Sequence, residues 1–182
     1  MTTAETASLL AAKIRDVPDY PKPGVMFKDI TPLLDDANAF SALVQELAGR
    51  AQAWGATKVV GLEARGFILA APAAYAAGAG FVPVRKAGKL PGPVYGESYA
   101  LEYGEAVLEV QQEAFTPGDR VLIVDDVLAT GGTVGAALNL VRKCRGVEVA
   151  GVVVLMELGF LGGRSRISDD LRGAPLETLL EV

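Results

Sequence analysis

Val121-Leu-Ile-Val-Asp-Asp-Val-Leu-Ala-Thr-Gly-Gly-Thr133 is the stretch that decides the fold. Its four leading apolar residues predict a buried central strand. Asp125 and Asp126 fall where that strand would leave the sheet, the edge at which open α/β sheets bind ligands. The small residues that follow, Ala129, Thr130, Gly131, Gly132 and Thr133, predict a turn that opens a helix. Lacking bulk, their backbone N–H groups approach an anion closely at a positive helix end, and the two threonine hydroxyls add donors. Paired carboxylates beside such a cradle suit a phosphorylated sugar. The plain alternative is an ordinary strand–turn–helix with a polar start, but two consecutive carboxylates at a buried strand end are costly without partners. No Gly-Lys-Ser/Thr follows the glycines, so the stretch is not a Walker loop.

Working outward, residues 133–145 predict a helix with the stripe Val134, Ala137, Leu138 and Val141, stopped at Gly146. Residues 147–156 form a second strongly apolar strand, and 176–180 a short extended tail. Upstream, residues 1–17 predict a helix stopped by Pro18, and 18–32 a proline-rich hood without regular structure. Asp35 or Asp36 caps a helix over 37–54, whose stripe is Phe40, Leu43, Val44, Leu47 and Ala51. A strand over 58–63, a helix over 66–77 and a strand over 81–84 follow. Residues 85–96 predict a mobile loop, and Tyr103-Gly104 a hairpin turn between extended segments 97–102 and 106–113. This alternation predicts an α/β fold, a mainly parallel twisted sheet flanked by helices. We expect one domain over 1–182, with hood 1–34 and core 35–182.

The chain has 182 residues and no histidine, which excludes a histidine base, a catalytic triad and histidine-ligated metal. Its single cysteine, Cys144, excludes intrachain disulfides and cysteine-cluster zinc. Acid–base work falls to Asp, Glu, Lys, Tyr or the substrate, and any metal is a hard cation held by oxygens. The net charge of −5 argues against nucleic acid as a partner. The longest apolar candidate, 66–80, is broken by Pro72 and falls short of the ~20 residues of a membrane span. With no signal-like N-terminus, a cytoplasmic location is expected, without a membrane partner.

The 121–133 segment resembles the phosphoribosyl pyrophosphate signature of the type I phosphoribosyltransferases, an apolar run, two acids, then Ala-Thr-Gly-Gly-Thr. The resemblance implies that Asp125 and Asp126 hold the ribose hydroxyls and serve catalysis. It assigns the 5-phosphate to Ala129, Thr130, Gly131, Gly132 and Thr133. It also implies Mg2+ as cofactor, bound mainly through the substrate, with no direct protein ligands.

Four further segments are similar to the adenine-specific branch of that family. They are Tyr20-Pro-Lys-Pro-Gly-Val25 running into Met26-Phe-Lys-Asp-Ile-Thr-Pro32, Gly61-Leu-Glu-Ala-Arg-Gly-Phe67, Arg85-Lys-Ala-Gly-Lys-Leu-Pro-Gly92 and Ser98-Tyr-Ala-Leu-Glu-Tyr-Gly104. In the family's pattern Phe27 stacks on the purine, while the Met26 carbonyl and Lys28 N–H read its edge. Many relatives have Arg at the Lys28 position. Ala64 and Arg65 belong to a pyrophosphate loop; the family often has Ser at the Ala64 position, so a hydroxyl contact is missing. Arg85 and Lys89 also reach the pyrophosphate, partly across a homodimer. Glu102 exchanges a proton with adenine, an exposed turn glutamate being the plain alternative, and Tyr103 braces the closed loop. The implied reaction joins adenine to phosphoribosyl pyrophosphate, giving AMP and pyrophosphate in purine salvage. Transfer to another base such as xanthine, and a phosphoribosyl-pyrophosphate-sensing regulator, stay open as alternatives.

Overall fold

In the computed structural model, which describes residues 3–100 and 105–182, the chain divides into two compact units, 1–46 and 47–182. The first contains α1 (Thr3–Ala11), β1 (Arg15–Pro18), β2 (Met26–Asp29), α2 (Thr31–Asp35) and the start of α3 (Ala37–Ala53). Helix α1 ends well before Pro18, and the stretch expected to lack regular structure contains an antiparallel ladder pairing Pro18 with Met26 and Arg15 with Asp29. Proline is tolerated there because β1 has one strand neighbour, so its missing N–H can face away from the ladder. The connection is closed by Tyr20 N–H donating to the Val25 carbonyl (3.2 Å) and Gly24 N–H to Asp19 Oδ1 (2.8 Å).

Asp36 caps α3 as the sequence implies, Oδ1 accepting from Asn38 N (3.1 Å) and Ala39 N (3.0 Å). Its buried stripe is Ala39, Leu43, Leu47, Ala48 and Ala51. Phe40 and Val44 are only half-buried. The apolar face is therefore rotated toward the alanines, whose small side chains do not stand out in a hydropathy pattern.

The second unit is built on seven strands. They are β3 (Lys58–Leu62), β4 (Gly80–Lys86), β5 (Val94–Ala100), β6 (Glu105–Gln111), β7 (Arg120–Leu128), β8 (Glu148–Glu157) and β9 (Leu176–Glu181), in the spatial order β5-β6-β4-β3-β7-β8-β9. The five strands from β4 to β9 in that order are parallel, and β5 and β6 are antiparallel additions. Central strands buried on both faces need continuous apolar runs. Residues 121–124 and 152–156 supply them, all fully buried. Helices α4 (Arg65–Ala77) and α5 (Gly132–Lys143) provide the crossovers. The core joins Val60, Leu62, Ile123, Leu138, Val141 and Val154.

Three details differ from expectation. Strand β7 continues to Leu128, because β8, one residue longer, carries the ladder on through Leu128 opposite Glu157. Strand β4 reaches Lys86 and β5 starts at Val94, which confines the irregular part of the expected loop to 87–93. Between β8 and β9 the chain forms a 3-10 turn (Gly159–Leu161) and two short helices, α6 (Gly163–Arg166) and α7 (Ser168–Leu171). The hairpin of β5 and β6 is antiparallel, Ala100 opposite Glu105; its turn lies outside the described residues.

Candidate active site

Strand β3 accompanies β7 only as far as Gly61 opposite Val124. From Asp125 onward β7 keeps β8 as neighbour on one side, and the space on the other side opens into a cavity of about 320 Å³. Residues 63–65 and 125–134 line it. The two aspartates therefore sit inside a strand, not past its end, at the place where the sheet loses a strand.

Asp125 and Asp126 are 8% and 4% exposed. The Asp126 N–H donates to Asp125 Oδ1 (2.9 Å), and Arg65 Nη2 stands 2.7 Å from Asp126 Oδ2. That contact is an ion pair rather than an aligned hydrogen bond, so Asp126 Oδ2 is buried without one. Burial, then the neighbouring Asp126 charge, pushes the Asp125 carboxyl well above the usual carboxylate range. Burial raises Asp126 as well, with the Arg65 charge as the largest opposing influence. Two buried carboxylates with one guanidinium make an electronegative corner that favours hydroxyl donors or positive charge.

Across the cavity, residues 129–133 lead into α5, whose N-terminus has no side-chain cap. Gly131 holds φ +82, a left-handed conformation that a side chain resists. A Cβ there would lie 2.8 Å from both the Gly163 carbonyl and Ile167 Cγ2. In return, a Cβ on Gly163 would stand 2.2 Å from the Ala129 carbonyl. The turn thus rests on bare backbone at the start of α6. Uncapped N–H groups at the positive end of a twelve-residue helix form an anion cradle.

The basic residues Arg85 and Lys89 converge on Glu63, whose side chain is 8% exposed. Glu63 accepts from Arg85 Nε (3.3 Å), from the Lys86 backbone N–H (2.9 Å) and from Lys89 Nζ. Burial works to raise its pKa, but Lys89, the Lys86 N–H and Arg85 together outweigh it and bring it down to about 2. Arg85 also stands over the Phe67 ring at 5.9 Å. Ala64 lines the cavity immediately before α4 and brings no hydroxyl.

Met26, Phe27 and Lys28 belong to the N-terminal unit, on β2. Phe27 packs edge-on against Tyr20, ring centres 5.0 Å apart, and Lys28 Nζ pairs with Asp16 Oδ1 at 2.8 Å. Because Val25 uses its carbonyl toward Tyr20, ladder alternation turns the backbone groups of Met26 and Lys28 away from β1. Glu102 and Tyr103 lie outside the described residues. Among the described residues, no group of three or more metal-ligating side chains is gathered.

Sequence reasoning missed two participants. Glu63 falls inside a segment quoted for its neighbours, and its only signal is an acid at a strand end facing a basic loop. Gly163 carries the signal of a Gly-Gly pair in an otherwise unremarkable stretch, and its partner across space is invisible in one dimension.

The chain matches the phosphoribosyl transferase domain family over residues 29–170. It is 66% identical to the adenine phosphoribosyltransferase of Streptomyces coelicolor over 174 residues, 96% of this chain and 95% of that one. It is 58% identical to the adenine phosphoribosyltransferase of Salinispora tropica over 98% of its length and 92% of the relative's. Among solved structures it resembles the Rhodothermus marinus adenine phosphoribosyltransferase (TM-score 0.90, 47% identity, 98% and 99% of the two chains). It also resembles the Saccharomyces cerevisiae enzyme crystallised with an imino-altritol bisphosphate and adenine (TM-score 0.90, 38% identity, 97% and 99%). Matches at this identity over nearly the whole length place the chain in the adenine phosphoribosyltransferase branch of the phosphoribosyltransferase family.

Proposed function

We propose that the chain transfers the 5-phosphoribosyl group of phosphoribosyl pyrophosphate to adenine, forming AMP and pyrophosphate. The observation that carries this reading is a single cavity with two buried aspartates on one wall and the uncapped α5 N-terminus on the other. Asp125 and Asp126 accept the ribose 2- and 3-hydroxyls. The backbone N–H groups of residues 129–133 and the hydroxyls of Thr130 and Thr133 hold the 5-phosphate. As pyrophosphate leaves C1′, positive charge grows on the sugar ring, and the two carboxylates oppose it through fixed electrostatics. The work is positioning and charge management rather than covalent catalysis.

Arg65, Ala64, Arg85 and Lys89 receive the departing pyrophosphate in this reading. Mg2+, when bound, neutralises pyrophosphate oxygens. The residues present fit an ion that would be held mainly through substrate oxygens, since Asp125 and Asp126 offer hard oxygens in the same cavity and no third acid is gathered with them among the described residues. Glu102 exchanges the proton of the base as the bond to C1′ forms.

The outward-turned Met26 carbonyl and Lys28 N–H read the base edge, with Phe27 against its face. Adenine presents a donor at N6 and an acceptor at N1; 6-oxopurines reverse both. Two like groups facing each other, each costing about 1–3 kcal/mol, disfavour hypoxanthine and guanine. Exposed Ile68 and Tyr75, seven residues apart on α4, support a homodimer. A charged donor does not cross a bilayer unaided, which suits a cytoplasmic enzyme.

The test is product analysis with labelled adenine, phosphoribosyl pyrophosphate and Mg2+, run beside hypoxanthine. Labelled AMP with little inosine monophosphate is expected. Equal rates with both bases overturn the base assignment, and no nucleotide from either overturns the reaction.

A further inference from the structure

A second cavity, of about 440 Å³, opens at the other end of the parallel strands, where β7 and β8 begin and the turn before β9 passes. Arg120, Arg142 and Arg172 line it together with one acid, Glu148. Arg120 is already engaged: its Nη1 donates to Glu148 Oε2 (2.6 Å), and its Nε and Nη2 donate to the Trp54 carbonyl (3.3 and 3.2 Å). That leaves two arginine charges with no acid in the lining to oppose them, in a chain whose net charge is −5.

Arg142 is the informative residue. Its Nη2 donates to the Asp170 carbonyl, while its Nη1 is buried with no hydrogen-bond partner. A buried guanidinium nitrogen left bare is costly, and an arginine does not escape by losing its proton. Burial, then the nearby Arg172 charge, lowers its pKa, with Asp170 opposing. The Asp170 carboxylate, however, lies beside Gly135, with Oδ2 3.3 Å from where a Cβ would stand there. Arg172 holds φ +49, a conformation the turn would reach more easily with glycine. Arg172 thus presents a guanidinium to the cavity from a position whose backbone favours glycine.

We propose that this cavity binds the phosphate group of a small molecule, held between Arg142 and Arg172. A phosphate carries close to two negative charges and matches the planar fork of arginine. A carboxylate would supply only one. The cavity exceeds what inorganic phosphate needs, and Val147, Val149 and Leu171 give apolar wall for the rest of a phosphorylated metabolite. Along β7 Arg120 and Asp125 stand five residues apart, which separates this cavity from the aspartates by roughly 17 Å. The site is thus independent of the proposed transfer reaction.

Amide NMR of the full-length protein tests this with inorganic phosphate, pyrophosphate and AMP as separate probes. Saturable shifts of the Val149, Gly173 and Ala174 amides are expected. Arg142→Met and Arg172→Met should each weaken that response roughly tenfold or more. The amides of residues 130–133 report the other cavity and should respond alike in all three proteins. If AMP saturates the remote amides at lower concentration than inorganic phosphate, the ligand is a nucleotide; the reverse order assigns free phosphate. Arg172 is exposed, so its variant keeps the test open if Arg142→Met fails to fold. No saturable shift with any probe, or wild-type affinity in either folded variant, overturns the proposal.

Discussion

Arg65 Nη2 lies 2.7 Å from Asp126 Oδ2, joining the first residue of α4 to the part of β7 that has lost β3 as a neighbour. The pair ties the wall assigned to pyrophosphate to the wall assigned to ribose. Removing the guanidinium leaves Asp126 more weakly opposed and pushes its pKa further up. Arg65→Met should therefore raise the KM for phosphoribosyl pyrophosphate roughly 10–100-fold, the scale of a charged hydrogen bond. It should also move the acid limb of kcat/KM to higher pH, while Arg65→Lys restores part of both. A pH–rate profile unchanged in Arg65→Met would detach this pair from the chemistry.

The aspartate pair predicts opposite effects on activity and stability. Asp125→Asn with Asp126→Asn should cut turnover at least ~100-fold by removing directed charge. The Asp125 carboxyl is raised on folding, so what it contributes to stability is present below the unfolded pKa and lost as pH climbs through the folded one. Asp125→Asn should thus melt higher than the wild type at neutral pH, the gap narrowing as pH falls toward 4. Thermal melts between pH 4 and 8 read this directly. A variant melting below the wild type at pH 8 would contradict it.

The sequence carried the strand–helix alternation and the family well, because both are written in local pattern. Residues 121–124 and 152–156 read as buried strands since nothing else tolerates so continuous an apolar run. The end of β7 was illegible because it depends on β8 being long and β3 being short, a property of three strands at once. The β1–β2 ladder was hidden by prolines that a two-stranded edge accepts. The partnership of Glu63 with Arg85 and Lys89, spaced 22 and 26 residues along the chain, needs the register of β3 beside β4 before it exists.

The cradle's dependence on glycine can be measured one position at a time. Gly131→Ala puts a side chain at φ +82 and 2.8 Å from a carbonyl, a strain of about 1–3 kcal/mol. Gly163→Ala has ordinary φ but meets the Ala129 carbonyl, so its damage passes through the cradle alone. Both should lower the melting temperature and raise the KM for phosphoribosyl pyrophosphate more than that for adenine. Equal losses for the two substrates would mean the turn supports the fold without holding the phosphate.

Glu63 neutralises the two cations that the proposed reaction gives to pyrophosphate, so carboxylate and product compete for Arg85 and Lys89. With the charge removed and the shape kept, Glu63→Gln should tighten pyrophosphate inhibition roughly threefold to tenfold, an effect that fades at high salt. The same change has a signature in acid. The folded-state pKa of Glu63 is depressed to about 2, so its stabilisation is present above the ordinary glutamate range and is lost as pH falls through that depressed value. Urea midpoints should therefore drop more steeply from pH 5 to pH 3 in the wild type than in Glu63→Gln. Weaker pyrophosphate inhibition in the variant would show instead that Glu63 positions the cations and does not compete for them.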